Sequence, residues 1–297
     1  MESLEIQHLS ALAHPNRLAV FRLLMRRYPD AVPAGEIAEA LGLKPNTASV
    51  YLSTLRQTDL IEQTRQGTSL LYRANLTTMR GLLGHLMQDC CRNRPEICAD
   101  ALMPWQTQGS HIGTNTRPLN ALFICSGNSA RSIMAESILR HTGGNRFRAF
   151  SAGTEPGKGP HPDVIALLNS KDHDTGPLKS KHISEFSTVG APAMDFVFTV
   201  CDRAANEDCP VWPGQPISAH WGLPDPTRPG PSDTERALAM QQTYGALLNR
   251  ISTFVSLPLD TLDRISLQQR LDDIGQVQHG SDVPDTATPR PRKTGQT

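Results

Sequence analysis

The chain has no apolar run of about 18 residues, so it offers no candidate membrane helix. Its first residues lack the basic-then-apolar pattern of a secretory signal. It has no net charge, with 29 Lys+Arg against 29 Asp+Glu, and no long polybasic run; any contact with nucleic acid must come from local patches. No segment repeats. These absences point to a cytoplasmic chain with no membrane partner. In that compartment the 6 cysteines read as reactive or ligand thiols rather than a disulfide framework. At 297 residues there is room for two domains, each with its own core.

What is present begins with Leu119-Asn-Ala-Leu-Phe-Ile-Cys125-Ser-Gly-Asn-Ser-Ala-Arg131-Ser132. The apolar run reads as a buried strand, and the residues after it as a loop opening a helix. Small residues at Ser126, Gly127, Asn128, Ser129 and Ala130 let successive backbone N–H groups turn inward as a nest for an oxyanion. The helix N-terminus adds partial positive charge. Arg131 supplies a fork matching two oxygens of a tetrahedral anion. Ser132 can hydrogen-bond the sulfur, and Asn128 tolerates a left-handed turn. A cysteine opening such a nest should be pushed toward thiolate. Lowering a thiol pKa of ~8.5 by ~2 units corresponds to roughly 2.7 kcal/mol. This segment, continued by Met134-Ala135-Glu136, resembles the low-molecular-weight tyrosine phosphatase superfamily, which includes an arsenate reductase branch.

Residues 1–98 read as mostly helical. Amphipathic stretches cover Leu4 to Ala13 and the segment from Pro15 through Leu24; a short helix follows Pro33 and ends at Gly42. Another helix runs from Pro45 to about Gln57, with Ala48, Leu52 and Leu55 inward. Leu60–Thr64 and Ser69–Arg73 flank Arg65-Gln66-Gly67-Thr68 as a two-stranded wing. Helix, Gly turn, helix and wing make a winged helix-turn-helix. It would turn Asn46, Thr47, Ser49 and Tyr51 toward the major groove of operator DNA, with Lys44, Arg56 and Arg65 near phosphates. The segments Leu9-Ser-Ala-Leu-Ala-His-Pro-Asn-Arg-Leu18, Glu36-Ile-Ala-Glu-Ala-Leu-Gly-Leu43 and Leu52-Ser-Thr-Leu-Arg56 resemble the ArsR family of metal-responsive repressors, a resemblance that implies a homodimer. The family's cysteine motif in the helix before the turn is missing; Ala34-Gly-Glu-Ile-Ala-Glu39 stands there. Val50-Tyr51 replaces the Arg-His of many members.

Soft thiols occur further on, at Cys90, Cys91 and Cys98 after the helix starting near Leu76. Three thiolates suit a thiophilic ion such as As(III) or Sb(III), as in the family's C-terminal-thiol sensors. Adjacent helical residues point about 100° apart, so Cys90 and Cys91 share a centre only if the helix end frays. Zinc, with His85 nearby as a fourth ligand, and a merely structural role remain alternatives.

Residues 99–117 are polar and aperiodic, a linker. Across 118–278, strand patterns at 119–124, 146–151 and 195–201 alternate with helical ones at 130–142, 161–170 and 232–255. That alternation predicts an α/β parallel sheet with the loop at a strand's carboxyl end. Residues 279–297 have nothing apolar to bury and should form a disordered tail. The fold class is therefore α/β, with a mostly α N-terminal domain.

Arsenate and phosphate are the same shape, so the loop alone does not choose between them. A reductase needs further thiols, because two electrons leave as a disulfide. Cys201 and Cys209 stand eight positions apart across a polar loop. Asp225, before Pro226, suits a general acid for the leaving oxygen. Thr227-Arg228-Pro229 follow in place of the aromatic residues that grip phosphotyrosine in the phosphatase branch. Cys-x7-Cys-Pro-Val-Trp-Pro-Gly and His-Trp-Gly-x-Pro-Asp-Pro resemble the arsenate reductase branch. The resemblance implies attack by Cys125 on arsenate, relay to Cys201 and then Cys209, and no tightly bound cofactor. Electrons would come from thioredoxin or a glutathione/glutaredoxin system. The expectation is a bifunctional arsenic-responsive repressor and arsenate reductase. A phosphatase fused to a regulator, and a regulator with a non-catalytic oxyanion-sensing domain, remain the alternatives.

Overall fold

The computed structural model describes residues 4–92, 94, 117–188, 190–207, 212, 215–228 and 232–277. Cys98, Cys209, nearly all of the expected linker and the expected tail lie outside them.

The N-terminal third starts with α1 (Leu4–Leu12) and α2 (Pro15–Arg26), where Pro15 opens the helix and the His14 ring accepts the Asn16 N–H. The short strand β1 (Val32–Pro33) leads into α3 (Ala34–Ala40). Gly42, at φ +61°, makes the left-handed turn into α4 (Pro45–Gln57). The wing is β2 (Ile61–Gln66) and β3 (Ser69–Ala74), joined through Gly67 at φ +59°. Its sheet has the antiparallel order β1-β3-β2. β1 is absent from the sequence reading because two residues carry no periodicity. Val20, Leu23, Leu24, Ile37, Leu52 and Leu55 meet in one buried cluster. α5 (Leu76–His85) is capped by the Asn75 side chain and runs into a π-helical turn, Leu86–Cys90.

The C-terminal part is a four-stranded parallel sheet ordered β5-β4-β6-β7. It is built from β4 (Leu119–Cys125), α6 (Arg131–Thr142), β5 (Phe147–Gly153), α7 (Pro162–Asn169), β6 (Phe196–Thr199), α8 (Asp202–Asn206), β7 (Ile217–His220), α9 (Asp233–Ser256) and α10 (Arg264–Gln276). β4 is buried at every position, as a central parallel strand must be. From β4 the chain passes to β5 on one side, and later to β6 on the other. The crevice at such a reversal, beyond the strand carboxyl ends, is where open α/β sheets bind ligands. The sequence reading assigned nothing to 217–220 or 264–276. β7 is only four residues long, and α10 hides its apolar side chains Leu267, Leu271 and Ile274 at i, i+4, i+7 among polar ones. The core on one face is aromatic: Trp221 stacks on Phe198 at 4.1 Å between centroids, with Phe254 edge-on to both. Among the described residues no helix is long and apolar enough to cross a membrane.

Candidate active site

The segment between β4 and α6 is held as a curved loop by hydrogen bonds to its carbonyls. The Cys125, Ser126, Gly127 and Ser129 oxygens accept N–H groups of Thr154, Glu155, Gly157 and His161, and the Asn128 oxygen accepts the Ser180 hydroxyl. The N-cap of α6 is Ala130, which has no side chain to satisfy the first-turn amides. Gly153 permits the close approach of β5: a Cβ there would sit 2.5 Å from the Ser126 oxygen.

Asn128 locks the loop from below. It is fully buried, at φ +44°. Its Oδ1 accepts the Lys181 N–H at 2.7 Å, which fixes the amide orientation, so Nδ2 donates to Ser132 and Ser151, both at 2.9 Å. Ser132 Oγ is thereby an acceptor from Asn128 and has its own proton for Cys125 Sγ, 2.9 Å away. Ser151 donates its hydroxyl to Glu136, which is also held by Arg140 and Lys181. The network is directional, one branch ending on the sulfur and the other on the Glu136 carboxylate.

Arg131 spans the cavity. Its Nη1 donates to the Leu223 carbonyl at 2.9 Å, Nη2 pairs with Asp225 at 3.2 Å, and its buried Nε has no partner among the described residues. Asp225 accepts the Thr227 N–H and hydroxyl. Burial pushes its carboxyl up, but the Thr227 hydrogen bonds and the Arg131 and Arg228 charges outweigh that and hold it below its ordinary value.

The expected depression of the Cys125 thiol is not what the pocket imposes. Burial pushes it up and the neighbouring Cys201 adds to this. The Ser132 hydroxyl and amide and the Arg131 charge pull back only in part. Exposure of Cys125 is 2%, so its desolvation outweighs the donors. Motif spacing carries no information about depth.

Cys201 is buried in the same cavity, with Ser126 Oγ 3.6 Å from its sulfur. It is the N-cap of α8, its sulfur accepting the Ala204 N–H. His220 and Asp202 were not singled out by sequence reasoning, although His220 stands in the quoted His-Trp-Gly motif. His220 is fully buried at its side chain, with Nδ1 2.8 Å from the Thr199 hydroxyl and Nε2 3.0 Å from Asp202. The hydrogen bond from His220 holds Asp202 below its ordinary value against burial, helped by Arg27. The rest of the motif is structural. Trp221 is core and donates to the Leu271 carbonyl, and a Cβ on Gly222 would lie 2.6 Å from both Asp202 and His220.

The cavity above the loop has a volume of about 840 Å³. Its walls carry Arg131, Arg203 and Arg228 against Glu155, Asp202 and Asp225, and also Arg27 and Asp30 from the N-terminal third.

The other expected ligand sites lie apart from it. Lys44, Asn46, Ser49, Arg56 and Arg65 are exposed on α4 and the wing, and Thr47 is half-buried. Tyr51 is half-buried, with its ring against His14 and its hydroxyl 3.4 Å from Asn16 Nδ2. Cys90 is exposed and Cys91 half-buried at the π-helical turn. There, ligand atoms of His85, Asp89 and Cys90 come within 4.8 Å of one another.

A buried thiol at the start of such a loop, with a serine hydroxyl on its sulfur and an arginine lining the same cavity, defines an enzyme class that handles tetrahedral oxyanions through cysteine. The low molecular weight phosphotyrosine protein phosphatase family matches residues 120–255, and a helix-turn-helix domain matches residues 12–64. An arsenate reductase of Shouchella clausii is 32% identical over 134 residues, covering 44% of this chain and 91% of that protein. One of Bacillus subtilis is 31% identical over 132 residues, with the same shares. Among solved structures, an arsenate reductase in the phosphate binding state is 25% identical and covers 46% of this chain and 97% of its own, at a TM-score of 0.37. The homodimeric winged helix-turn-helix domain of a possible ArsR-family regulator from Mycobacterium bovis is 30% identical and covers 27% of this chain and 72% of its own, at a TM-score of 0.25. The chain belongs to the low molecular weight phosphatase family, in its arsenate reductase branch, joined to an N-terminal helix-turn-helix domain.

Proposed function

We propose that the protein is a bifunctional arsenate reductase and arsenic-responsive repressor, acting in the cytoplasm as a homodimer on operator DNA. The observation that carries the reductase half is the second buried thiol, Cys201, in the cavity of Cys125. A phosphatase has no use for it.

Arsenate takes the place prepared by the amides of Ser126 to Ala130 and the Arg131 guanidinium, which leaves Asp225 for the anion. The Cys125 thiolate attacks arsenic, forming an S–As bond, while Asp225 gives its proton to the departing oxygen, which leaves as water. The negative substrate beside Asp225 favours the protonated carboxyl that this step needs. Cys201 then attacks the Cys125 sulfur. The S–As electron pair passes to arsenic, which leaves as arsenite, and a Cys125–Cys201 disulfide remains. Cys209 attacks Cys201, frees Cys125, and leaves Cys201–Cys209 for reduction by thioredoxin or a glutathione-linked system. Two thiols are oxidised and one arsenic is reduced by two electrons.

Cys90, Cys91 and Cys98 hold the trivalent product, arsenite, or antimonite. Binding there favours the dimer form with weak affinity for DNA. The domains divide at 1–98 and 118–278, around a linker at 99–117 and before a tail at 279–297.

The test is arsenate-dependent NADPH oxidation with thioredoxin and its reductase, or with a glutaredoxin system. Wild type turns over, and Cys201→Ser and Cys209→Ser abolish multiple turnover. Brisk hydrolysis of an aryl phosphate, without arsenate turnover and indifferent to both substitutions, would make the protein a phosphatase.

A further inference from the structure

The helix-turn-helix half touches the reductase site directly. Arg27, just past the end of α2, is 5% exposed, and its side chain reaches into the cavity wall. Its Nη1 bonds Glu36 of its own domain and the Asn206 side chain at 3.1 Å, and Nη2 lies 3.3 Å from Asp202. Arg26 donates to the carbonyls of Ala205 and Asn206 at 3.0 and 2.9 Å. Those carbonyls close the far end of α8, where cationic donors are favoured. Asp30 approaches the same His220 Nε2 that bonds Asp202, at 3.6 Å, and accepts the Gln276 side chain. The five-residue helix that starts immediately after Cys201 is therefore held at both ends by residues of the other domain. A helix this short has little stability of its own, so its geometry comes from these contacts. Its N-cap is the sulfur that must reach Cys125.

We infer that Arg27 is a positioning residue of the reductase site: through Asp202 and the Asn206 side chain it holds the Cys201 helix in line with Cys125. The inference rests on Cys201 being the thiol that takes over from Cys125. It also makes the docked helix-turn-helix domain a component of the enzyme, so that undocking weakens the relay and leaves the anion loop intact.

The experiment compares full-length wild type, Arg27→Gln and Arg27→Lys in three readouts. Phosphate protection of Cys125 against iodoacetamide reports anion binding. Quench and mass spectrometry follow Cys125–Cys201 disulfide formation after arsenate addition, with Cys209→Ser introduced into each protein so that this disulfide is not resolved. The alkylation rate of buried Cys201, without arsenate, reports how firmly α8 is held. Arg27→Gln should slow the disulfide step by roughly tenfold, since a displacement of about 1 Å can cost a reacting pair far more. It should raise Cys201 alkylation several-fold and leave phosphate protection within about twofold, with Arg27→Lys falling between wild type and Arg27→Gln, because one ammonium keeps the charge but not both arms of the fork. In a cycle with Asp202→Asn, the double variant should lose less than the two single effects combined, because both remove the Arg27–Asp202 contact while only Arg27→Gln removes the one to Asn206. Unchanged Cys201 alkylation in Arg27→Gln overturns the inference, as do additive effects in the cycle or an equal loss of phosphate protection. If wild type forms no disulfide with arsenate, the reductase reading falls, and the alkylation readout still decides whether Arg27 holds the helix.

Discussion

Removing the Ser132 hydroxyl should make Cys125 less reactive. The Asn128 amide is oriented by Lys181 so that it donates to Ser132, and the Ser132 proton then has Cys125 as its acceptor. A hydrogen bond to a charged acceptor contributes about 1.5 kcal/mol or more, so losing it lowers the thiolate fraction near neutral pH by about tenfold or more. The Ser132 amide and Arg131 remain in Ser132→Ala and keep the effect finite. The assay is the second-order rate of iodoacetamide alkylation at Cys125 across pH, read by mass spectrometry in a Cys201→Ser background. Burial and Cys201 both push the wild-type thiol up. In wild type its alkylation should therefore keep rising with pH beyond the range of an ordinary thiol. In the Cys201→Ser background the same rise should begin at lower pH, because one of the two causes is gone. Ser132→Ala should displace that curve to higher pH. Coincident curves for Ser132→Ala and its parent would refute the directional network.

Two further substitutions test the loop's support. Gly153→Ala places a Cβ against the Ser126 carbonyl and the Asn128 backbone. The loop must shift, and phosphate affinity by calorimetry should fall by at least about tenfold, as small misplacements in preorganised sites do; unaltered affinity would show that the strand–loop contact can relax. Glu136→Gln leaves Lys181 without its carboxylate partner and weakens the Ser151 contact. Breaking a fully buried pair costs about 3–5 kcal/mol; here Lys181 and Arg140 are partly exposed, and about 2 kcal/mol is expected in urea unfolding. Two of the three tryptophans, Trp212 and Trp221, lie in the C-terminal domain, so fluorescence chiefly follows it; a loss under about 0.5 kcal/mol would place the stabilisation elsewhere.

The sequence by itself determined most of the elements, though not β1, β7 or α10, and the residue types of the loop. Pro15 and Pro45 open helices, Gly42 and Gly67 make left-handed turns, and β4 is a run of buried residues; these are local preferences, legible without knowing what lies nearby. The spacing from Cys125 to Ser132 is local too, because one loop closes within eight residues. Tertiary structure alone decided what depends on distant neighbours. The Cys125 thiol is raised because β4 is deep in the sheet and Cys201, 76 positions on, faces it. Asp202 is held by His220 from the next strand, across a Gly222 that leaves room for the pair. Arg27 and Asp30 belong to the helix-turn-helix domain, with nothing in their local pattern to mark them, and reach the reductase cavity only through docking. Desolvation and charge act through space, whereas sequence patterns record only neighbours along the chain.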